Sequence, residues 1–599
     1  MEYTIFDEVS DICENYESGN VEITHGLTFS QFKTITKITY YSHSEYISGK
    51  KDSQGFDKPF YNVVNSAVNV AVRATDFDTK DVQVMATEPQ YYAQSFTARK
   101  ELTNWMEETR FDVVLNELSE VRARYGSVLV KRVIKDGQLF VEVVRWKNVK
   151  TDLVDIVNNP IVEVHYMSQL DLARKRKVWP GLDENWGAIM ELMMKEAEEE
   201  KDGDDGSTTL GRIEVYEIQG ELLAQYIDDT AEDWEYSLQK HFVINEGKEE
   251  QYVLYSEELK EPNYKLLHWE EVEGRGLGKG IVEDGFEAQT WTNDTKIKMH
   301  QLFNIASKIV FKHKDDMLYE NLLSDADNGD LIQGDFEQVD TTPRSFPMFD
   351  NVAQGWQTQY EKATSTFAAV TGETMPSNTP LGSLQIQNQE ARSIFDYRRE
   401  QMGIFIEDLI DDWVMPFLMK KINKQHILQA QFDMNELEML DDAFTTYSTN
   451  QTIINRILDG EIVTQADWEA EKAFVQDGLA RNGDQRFIEI PEGFYKDMKT
   501  KVKVVTTNEK YNKQAVLQSL TQLISMASSN PALLQDPTLL NLFARTIEMS
   551  GIGISPAEIT RPAARRNAMG VQPQAGNTTP EQAKKLGEAL TAGETPKAN

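Results

Sequence analysis

The chain has 599 residues and a formal net charge of −37, from 98 acidic and 61 basic side chains. This length is enough for several structural regions. The acidic balance argues against a sequence-specific nucleic-acid reader, which normally presents a basic face. Cys13 is the only cysteine, so internal disulfides and cysteine-based zinc sites are excluded. We expect no signal peptide and no transmembrane helix, because the first residues are acidic and no apolar run reaches about 18 residues.

The net negative charge has two explanations that the sequence leaves open. Self-repulsion between acidic molecules promotes solubility. Alternatively, the protein presents a surface that stays close to nucleic acid without binding it, because nucleic-acid affinity grows with each phosphate that a protein neutralises.

The first half of the chain contains helical patterns. Apolar residues at three- and four-residue spacing predict helices over 60–73 and 95–125. Gly126 follows the second pattern directly, and glycine commonly ends a helix.

Strand patterns come next. The β-branched runs 127–134 and 139–146 flank Asp136-Gly137, a strong signal for a two-residue hairpin. Further apolar runs predict strands at 161–167, 213–218, 252–255 and 264–269. We therefore predict an α+β fold.

Residues 183–273 carry a large excess of acidic side chains, with the densest part at 198–206. We expect 198–206 to be a solvated loop. An EF-hand loop needs acidic residues at positions 1, 3 and 5 and glycine at position 6. Neither the run from Asp202 nor 325–330 fits, because the glycines fall at the wrong positions. No metal site is predicted.

The glycine-rich stretch 273–280 is the most motif-like part of the chain. A phosphate-binding P-loop needs Gly, four residues, then Gly-Lys-Ser/Thr. Here Glu273 stands where the first glycine belongs, and Gly280 follows Lys279 in place of the hydroxyl residue. We interpret the stretch as a flexible turn that opens a helix.

The region that follows alternates long helices with shorter segments. Apolar stripes predict helices at 281–308, from about 351, and from about 383 past 413. Pro416 should kink or end the last of these. Between them, 308–314 is a basic strand, 329–334 is a second strand and turn, and 371–382 is a polar loop with two glycines and two prolines.

The rest of the chain is mainly helical until its tail. Patterns predict helices at 436–458, 465–479, 508–528 and 534–550, and a strand at 501–506. From 561 the composition becomes rich in Ala, Gly, Pro, Gln and Thr, which predicts a mobile, unpacked tail.

Several of these short motifs, in this order, resemble the portal proteins, or head-to-tail connectors, of tailed bacteriophages. Between 274 and 418 the matching features are the glycine turn into Ile281-Val282-Glu283-Asp284, the exit Ser307-Lys308-Ile309-Val310, the Gly334 turn and the loop 371–382. Segments 124–130 and 145–150 resemble the upstream α/β region of that family, and the late helix closing on 550–554 also matches.

The resemblance implies a portal-like arrangement, with an α/β wing, long stem helices, a small α/β clip, a helical crown and a disordered tail. Its segments would be the wing at 1–273, a stem helix at 274–307, the clip at 308–350, a second stem helix at 351–370, the tunnel loop at 371–382, a wing helix with further α/β structure at 383–505, the crown at 506–560 and the tail at 561–599.

The resemblance also implies a structural role without enzymatic activity or a cofactor. About twelve copies would form a ring at one capsid vertex, through which double-stranded DNA is packaged and later ejected. The terminase motor, the major capsid protein, the scaffold and the tail or adaptor proteins would be partners, and no membrane is involved. The protein would be assembled in the host cytoplasm and located in the virion.

Two sets of site residues follow from the resemblance. The tunnel loop would present Thr371, Glu373, Met375, Ser377 and Asn378 to DNA. Basic residues of the clip would contact DNA or packaging partners: Lys308, Lys312, His313 and Lys314. The lysines are equally compatible with ordinary solvated strand ends, and packing of Met375 against a neighbouring subunit is an open alternative.

The residues alone leave two other functions open. One is an acidic scaffold or adaptor that binds a basic partner through 183–273. The other is a metal-dependent nucleic-acid enzyme, which needs carboxylates converging from separate elements. The acidic residues instead crowd predicted loops, and the eight histidines are scattered. Self-association is favoured because the stem helices have too little partner helix in one chain to cover their apolar stripes.

Overall fold

The computed structural model describes residues 3–51, 55, 57–77, 79, 82–86, 92–202, 211–228, 230–232, 234–247, 250–306, 310–313, 336–339, 346–366, 381–422, 427–429, 434–480, 487–489 and 500–504. The chain divides into two compact units, Met1–Lys424 with Tyr495–Thr506, and Gln425–Phe494 with Thr507–Asn599. Helices and strands are mixed, which confirms the α+β class. The predicted crown and tail lie outside the described residues. No helix in the described ranges combines the length and apolar character needed to cross a membrane.

The first part of the first unit is mainly helical, including two helices that the sequence analysis did not predict. Thr4 begins the first of them with a capping box, in which its hydroxyl accepts from the Asp7 N–H and the Asp7 carboxylate accepts from the Thr4 N–H. The elements of this part are α1 (Ile5–Ser18), β1 (Val21–Thr24), β2 (Leu27–Phe29), α2 (Gln31–Ser42), α3 (Val64–Thr75), β3 (Val82–Ala86), α4 (Tyr92–Glu108) and α5 (Phe111–Tyr125).

The single helix predicted over 95–125 is wrong, because α4 and α5 are separate helices. Arg110 has a left-handed φ of 54°, and the Thr109 hydroxyl donates to the Trp105 carbonyl at the end of α4. The break brings Trp105 and Phe111 together, with ring centroids 5.1 Å apart. Apolar periodicity alone does not reveal this break, because buried side chains continue on both sides of it.

The predicted hairpin is confirmed. It consists of β4 (Ser127–Lys135) and β5 (Gln138–Val143), paired antiparallel. Asp136 and Gly137 both have positive φ, 51° and 76°, as a type I′ turn requires. A third strand, β11 (Tyr264–His268), pairs with the other edge of β4.

A five-stranded antiparallel sheet with strand order β10-β9-β8-β7-β6 forms the second layer. Helix α1 covers one face through Ile5 and Val9. Three helices between β7 and β8 cover the other face through apolar side chains such as Leu182 and Ile189. The elements are β6 (Val149–Lys150), β7 (Ile161–Met167), α6 (Gln169–Lys175), α7 (Pro180–Glu184), α8 (Trp186–Asp202), β8 (Ile213–Leu223), β9 (Tyr236–Asn245) and β10 (Gln251–Glu258).

The acidic run 198–206 was predicted as a loop, and this is wrong for its first part. Glu198 to Asp202 belong to α8, whereas 203–206 lie outside the described residues. The buried side chains Ile189, Leu192 and Met193 anchor the first turns of α8, and glutamate is a good helix former that allows the helix to continue.

Two helices flank a small sheet in the middle of the chain. Helix α9 (Ile281–Asp284) leads into α10 (Phe286–Ala306), the two-stranded antiparallel sheet follows, and α11 (Phe346–Ala363) completes the region. The strands are β12 (Val310–His313) and β13 (Phe336–Val339).

The continuous helix predicted over 281–308 is therefore interrupted at Gly285. A Cβ atom there would lie 2.6 Å from Val64 Cγ1 and 2.8 Å from the Tyr360 ring, so only glycine permits this approach of α3 and α11. The second helix begins earlier than the predicted 351 and ends before 370. Its end is set by Ser365, which has a left-handed φ of 58°.

The longest helix, α12 (Leu381–Leu409), continues through a π-helical turn at Ile410–Val414 into α13 (Met415–Ile422). Leu381 and Gly382 were assigned to the polar loop but are helical. Of the two predicted effects of Pro416, an end of the helix is wrong, because the helical path continues through it. The Met415 N–H bonds to the Ile410 carbonyl five residues back, and this widened turn accommodates the proline ring.

A buried arginine holds α12 against the strands. Arg122 is 1% exposed and donates to the carbonyls of His268 and Arg398 and to Gln401 Oε1, at 3.0, 2.7 and 3.0 Å. Burial, followed by the nearby charge of Arg398, lowers the pKa of Arg122 to about 9. The last strand, β16 (Thr500–Val504), pairs with β3, and the Asp411 and Glu407 carboxylates of the helical path accept from its Val502 and Val504 N–H groups.

The second unit contains a helical hairpin and a two-stranded sheet. Helices α14 (Met434–Leu458) and α15 (Gln465–Ala480) confirm the predicted helices at 436–458 and 465–479. Trp468 Nε1 donates to Asn450 Oδ1 at 2.8 Å and fixes their register. The strands are β14 (Ile427–Gln429) and β15 (Phe487–Glu489), which pair antiparallel.

Gly126, Gly278 and Gly280 bring the start of the hairpin against the glycine-rich stretch. Gly126 has a left-handed φ of 85°, and a Cβ on it would lie 2.5 Å from Gly280 N and 2.6 Å from Lys279 C. A Cβ on Gly280 would similarly lie 2.5 Å from Gly126 N. Leu277, which lies between Gly276 and Gly278 in the sequence, is fully buried. The glycine-rich stretch was predicted as a flexible turn, but it is packed backbone to backbone at the start of α9.

We predict that Gly126→Ala destabilises the first unit by about 2–5 kcal/mol, the sum of left-handed strain and a backbone clash. Gly137→Ala is the matched control, because its φ is also positive but no atom lies within 4 Å of the added methyl. It should cost only about 1–2 kcal/mol. Denaturant unfolding followed by tryptophan fluorescence measures both, and equal losses would contradict the close contact.

Candidate functional site

The helices α10 and α11 form an antiparallel pair. Lys296 Nζ lies 2.9 Å from Asp350 Oδ1, and the rings of Trp291 and Trp356 are nearly parallel, 12° apart with centroids separated by 6.3 Å. Residues early in α10 therefore face residues late in α11, and the small sheet β12–β13 lies at the far end of the pair.

Buried polar side chains attach the pair to the body of the unit. Gln289 is fully buried; its Oε1 accepts from the Val63 N–H at 2.8 Å and its Nε2 donates to the Tyr61 carbonyl at 2.6 Å. Asn293 Oδ1 accepts from the Tyr61 N–H at 2.9 Å. On α11, the Tyr360 hydroxyl donates to the Ile281 carbonyl. The backbone before α3 thus fixes the base of the pair.

Further along the pair, apolar side chains are exposed. Phe303 on α10 and Met348 on α11 have exposed fractions of 59% and 68%. Two further apolar side chains of the same helices are also exposed: Trp291, near the base of the pair, at 45%, and Val352 at 41%. Large apolar side chains exposed on neighbouring turns mark an interaction surface more often than isolated ones do.

The structure describes only some of the predicted site residues. Lys312 and His313 lie on β12, paired in register with Glu337 and Phe336 of β13. Lys308 and Lys314 lie outside the described residues. So do the tunnel-loop residues: Thr371, Glu373, Met375, Ser377 and Asn378.

A charged cluster that the sequence analysis missed lies between the two sheets. Lys131 on β4 is 2.9 Å from Glu163 Oε2 on β7 and also pairs with Glu217 on β8. His165 Nε2 lies 2.7 Å from Glu217 Oε2. Burial alone would raise the pKa of Glu217, but the Lys131 charge and the His165 hydrogen bond outweigh burial and hold that pKa well below its usual range.

The ligand atoms of Glu163, His165 and Glu217 are close enough together to hold a metal ion. The Lys131 ammonium, however, already lies among these atoms. The Lys131 side chain is only 8% exposed. A dication would have to approach a buried positive charge at very short range, which is unfavourable in a low-dielectric interior. The cluster is an ion network that ties one sheet to the other.

The structure also brings Ser127 and His268 together. Ser127 Oγ is 2.8 Å from His268 Nδ1, and it accepts from the Gly278 N–H at 2.7 Å. A hydroxyl hydrogen-bonded to an imidazole is also the arrangement of a nucleophile and its base. Ser127 is fully buried, so no substrate can reach the oxygen. The pair serves to hold the glycine-rich stretch against β4.

Both clusters join residues that are far apart in sequence, which is why scanning for local motifs does not find them. The sequence carries only a weak signal for the charged cluster. Glu163 and His165 alternate with Val162 and Val164 inside a predicted strand, and Lys131 follows the apolar run 128–130. Charged residues at inward positions of apolar strands must find a partner, but the sequence does not say which partner.

We predict that Lys131→Met destabilises the first unit by about 3–5 kcal/mol, because it removes the nearest positive charge from the buried Glu217 and from the partly buried Glu163. The control is Lys135→Met on the same strand. Lys135 pairs with Glu142, but both side chains are about half exposed, so the loss should be about 1 kcal/mol or less. Denaturant unfolding at neutral pH measures the loss of stability in both variants. Equally small losses in the two would show that the buried network contributes little.

A second prediction concerns His241, which is 1% exposed and lies between Ser256 Oγ and Gln239 Oε1 at 2.7 Å each. Burial lowers the pKa of His241 from 6.5 to about 4. Between these values the unfolded chain binds the proton and the folded chain does not, so stability falls as the pH falls through this window. The loss is on the order of 3 kcal/mol.

His241→Gln should make the unfolding free energy less dependent on pH between 4 and 6.5. His25→Gln, at the exposed turn between β1 and β2, is the control and should keep the wild-type dependence. Unfolding curves at several pH values measure this, and an unchanged slope in His241→Gln would contradict the assignment.

No protein-family model matches this chain, and no curated protein matches its sequence.

Proposed function

We propose that the protein is a portal subunit: a structural component of a ring at one capsid vertex, through which double-stranded DNA enters and leaves. In this proposal α10 and α11 are the stem, β12 and β13 belong to the clip, and the α/β layers before residue 273 form the wing. The observation that carries the proposal is the antiparallel α10–α11 pair, fixed at its base and carrying exposed apolar side chains towards the small sheet.

The physical support is the need to cover those side chains. Phe303 and Met348 are more than half exposed in a single subunit, and no segment in the described ranges covers them. Burying such side chains against a neighbour contributes roughly 1.5–3 kcal/mol each. Identical subunits that meet through different patches form closed rings when the rotation between them closes.

The charge of the chain fits the same role. Every subunit contributes a net charge of −37, so a ring of these subunits is strongly acidic. DNA affinity depends on phosphate neutralisation by Lys and Arg, and an acidic channel would let DNA pass without holding it. The terminase motor, capsid and scaffold proteins, and tail or adaptor proteins are the partners that this role requires.

The alternative of a nucleic-acid enzyme gains no specific observation from the described residues. The carboxylates that converge there, Glu163 and Glu217, are already paired with Lys131. The hydroxyl–imidazole pair of Ser127 and His268 is closed to substrate.

The test is to image the purified full-length chain by electron microscopy and to weigh it by native mass spectrometry. We expect rings of about twelve subunits with a central hole. Met348→Asp should shift the distribution towards single subunits, because it places a charge in the surface that neighbours would cover. The control is Leu170→Asp on α6, a residue that is equally exposed at 61% but lies outside the helix pair, and it should leave assembly unchanged.

Folding of both variants is checked by circular dichroism and thermal unfolding. Wild-type protein that stays as folded single subunits at high concentration would refute the proposal, as would particles without a hole.

A further inference from the structure

The helical hairpin α14–α15 exposes a cluster of apolar side chains at its turn. Four residues share this exposure, with exposed fractions of 48%, 54%, 78% and 95% in chain order: Ile454, Ile457, Leu458 and Ile462. We call these four residues the hairpin tip. The first three are spaced by three and four residues, which puts them on one face of α14. The Glu461 N–H donates to the Arg456 carbonyl at 2.9 Å and so folds the turn back against the end of that helix.

The hairpin tip is uncovered among the described residues of the second unit. Helix α15 lies along α14, and the small sheet β14–β15 is the only other described element of this unit. Neither element covers the tip. An apolar helix face is normally buried against a further element of the fold, and a cluster of exposed apolar side chains marks an interaction surface. The tip therefore needs an occupant.

The chain after residue 506 belongs to the same compact unit as the hairpin. That unit consists of Gln425–Phe494 and Thr507–Asn599, and the second of these ranges lies outside the described residues. Its sequence predicts helices at 508–528 and 534–550. One compact unit thus contains both an uncovered apolar surface and further helix-forming sequence.

The first of these predicted helices has the chemistry that the hairpin tip requires. Its apolar residues recur at the spacings of one helix face: Val516, Leu517, Leu520, Leu523, Ile524 and Ala527. Between 511 and 530, Lys513 is the only charged residue. A solvated helix of an acidic protein normally carries charges on its outer face, whereas this pattern carries Gln and Ser there. The pattern is therefore typical of a helix that packs within a fold.

We propose that the predicted helix at 508–528 packs on the hairpin tip of its own chain. The uncovered side chains and the membership of both segments in one compact unit are independent observations, and both lead to this occupant. The inference does not rest on ring formation. Combined with the portal proposal, it assigns the hairpin to the crown instead of the wing, so the boundary expected at 505 would lie near 425.

The test measures how fast a small maleimide reacts with a cysteine at the tip. In a Cys13→Ala background, Ile462→Cys is compared with Leu170→Cys, a position on α6 that is 61% exposed. We expect Ile462→Cys to react about tenfold more slowly, because the reagent reaches it only when the covering helix opens locally. Equal rates at the two positions would overturn the proposal.

Two further substitutions identify the covering helix. Leu520→Asp places a charge on the apolar face of the predicted helix, and we expect it to raise the Ile462→Cys rate to that of Leu170→Cys. Gln518→Asp, on the opposite face, is the matched control and should leave the rate low. A low rate that Leu520→Asp does not change means that another element covers the tip, and the proposal is then wrong. Thermal unfolding verifies that each variant is folded.

Co-expression separates the chain's own helix from that of a neighbouring copy. A tagged copy with Ile462→Cys is expressed with an excess of untagged copies that carry Leu520→Asp, all in the Cys13→Ala background. A tagged cysteine that stays slow supports the proposal, whereas a fast one assigns the occupant to a second copy and contradicts it. None of these rates depends on whether particles have a central hole, so this inference and the portal proposal fail separately.

Discussion

The close approach of Gly126 to the glycine-rich stretch is the constraint on which the first unit depends. At this point α5 ends, β4 begins, and the chain that leads into α9 passes within van der Waals distance of both. Any side chain at Gly126 or Gly280 would separate these backbones. Because α9 leads directly into α10, the same contact determines where the long helix pair leaves the α/β layers. Ser127 adds a hydrogen bond to Gly278 and thereby fixes the stretch in register with the strand.

Polar side chains then set the orientation of the larger elements. Gln289 and Asn293 bind the backbone before α3, Arg122 binds three acceptors on β11 and α12, and Lys131 connects the two sheets. Each of these groups is buried, so each would be costly if displaced from its partners. Apolar packing alone would allow the layers to slide over one another. The buried hydrogen bonds and ion pairs admit one arrangement, which is what a subunit needs if many copies are to meet at a fixed angle.

The same reasoning separates surfaces that stabilise the subunit from surfaces that remain available to partners. The charged cluster around Glu217 and the Ser127–His268 pair resemble reactive sites in composition, yet Glu217 is already paired with Lys131 and Ser127 is fully buried. Phe303 and Met348 on the helix pair are instead apolar and more than half exposed. These exposed apolar side chains are the basis of the proposed role in a ring.

The sequence by itself determined the elements whose signals are local. The Asp136-Gly137 hairpin, the strand at Ile161–Met167 and the helices α14 and α15 follow from turn chemistry and from apolar spacing, which act within a few residues. Tertiary structure decided the rest. The break at Gly285 arises from packing against the distant Val64 and Tyr360, and apolar spacing did not reveal the break at Arg110 or the π-helical turn before Pro416. The partners of Lys131, Arg122 and Ser127 lie up to hundreds of residues away. Strand β9 and the full length of α8 likewise depend on the layers that cover them. Local patterns report which side chains must be buried, but only the folded chain decides what they are buried against, because burial is a property of contacts between elements.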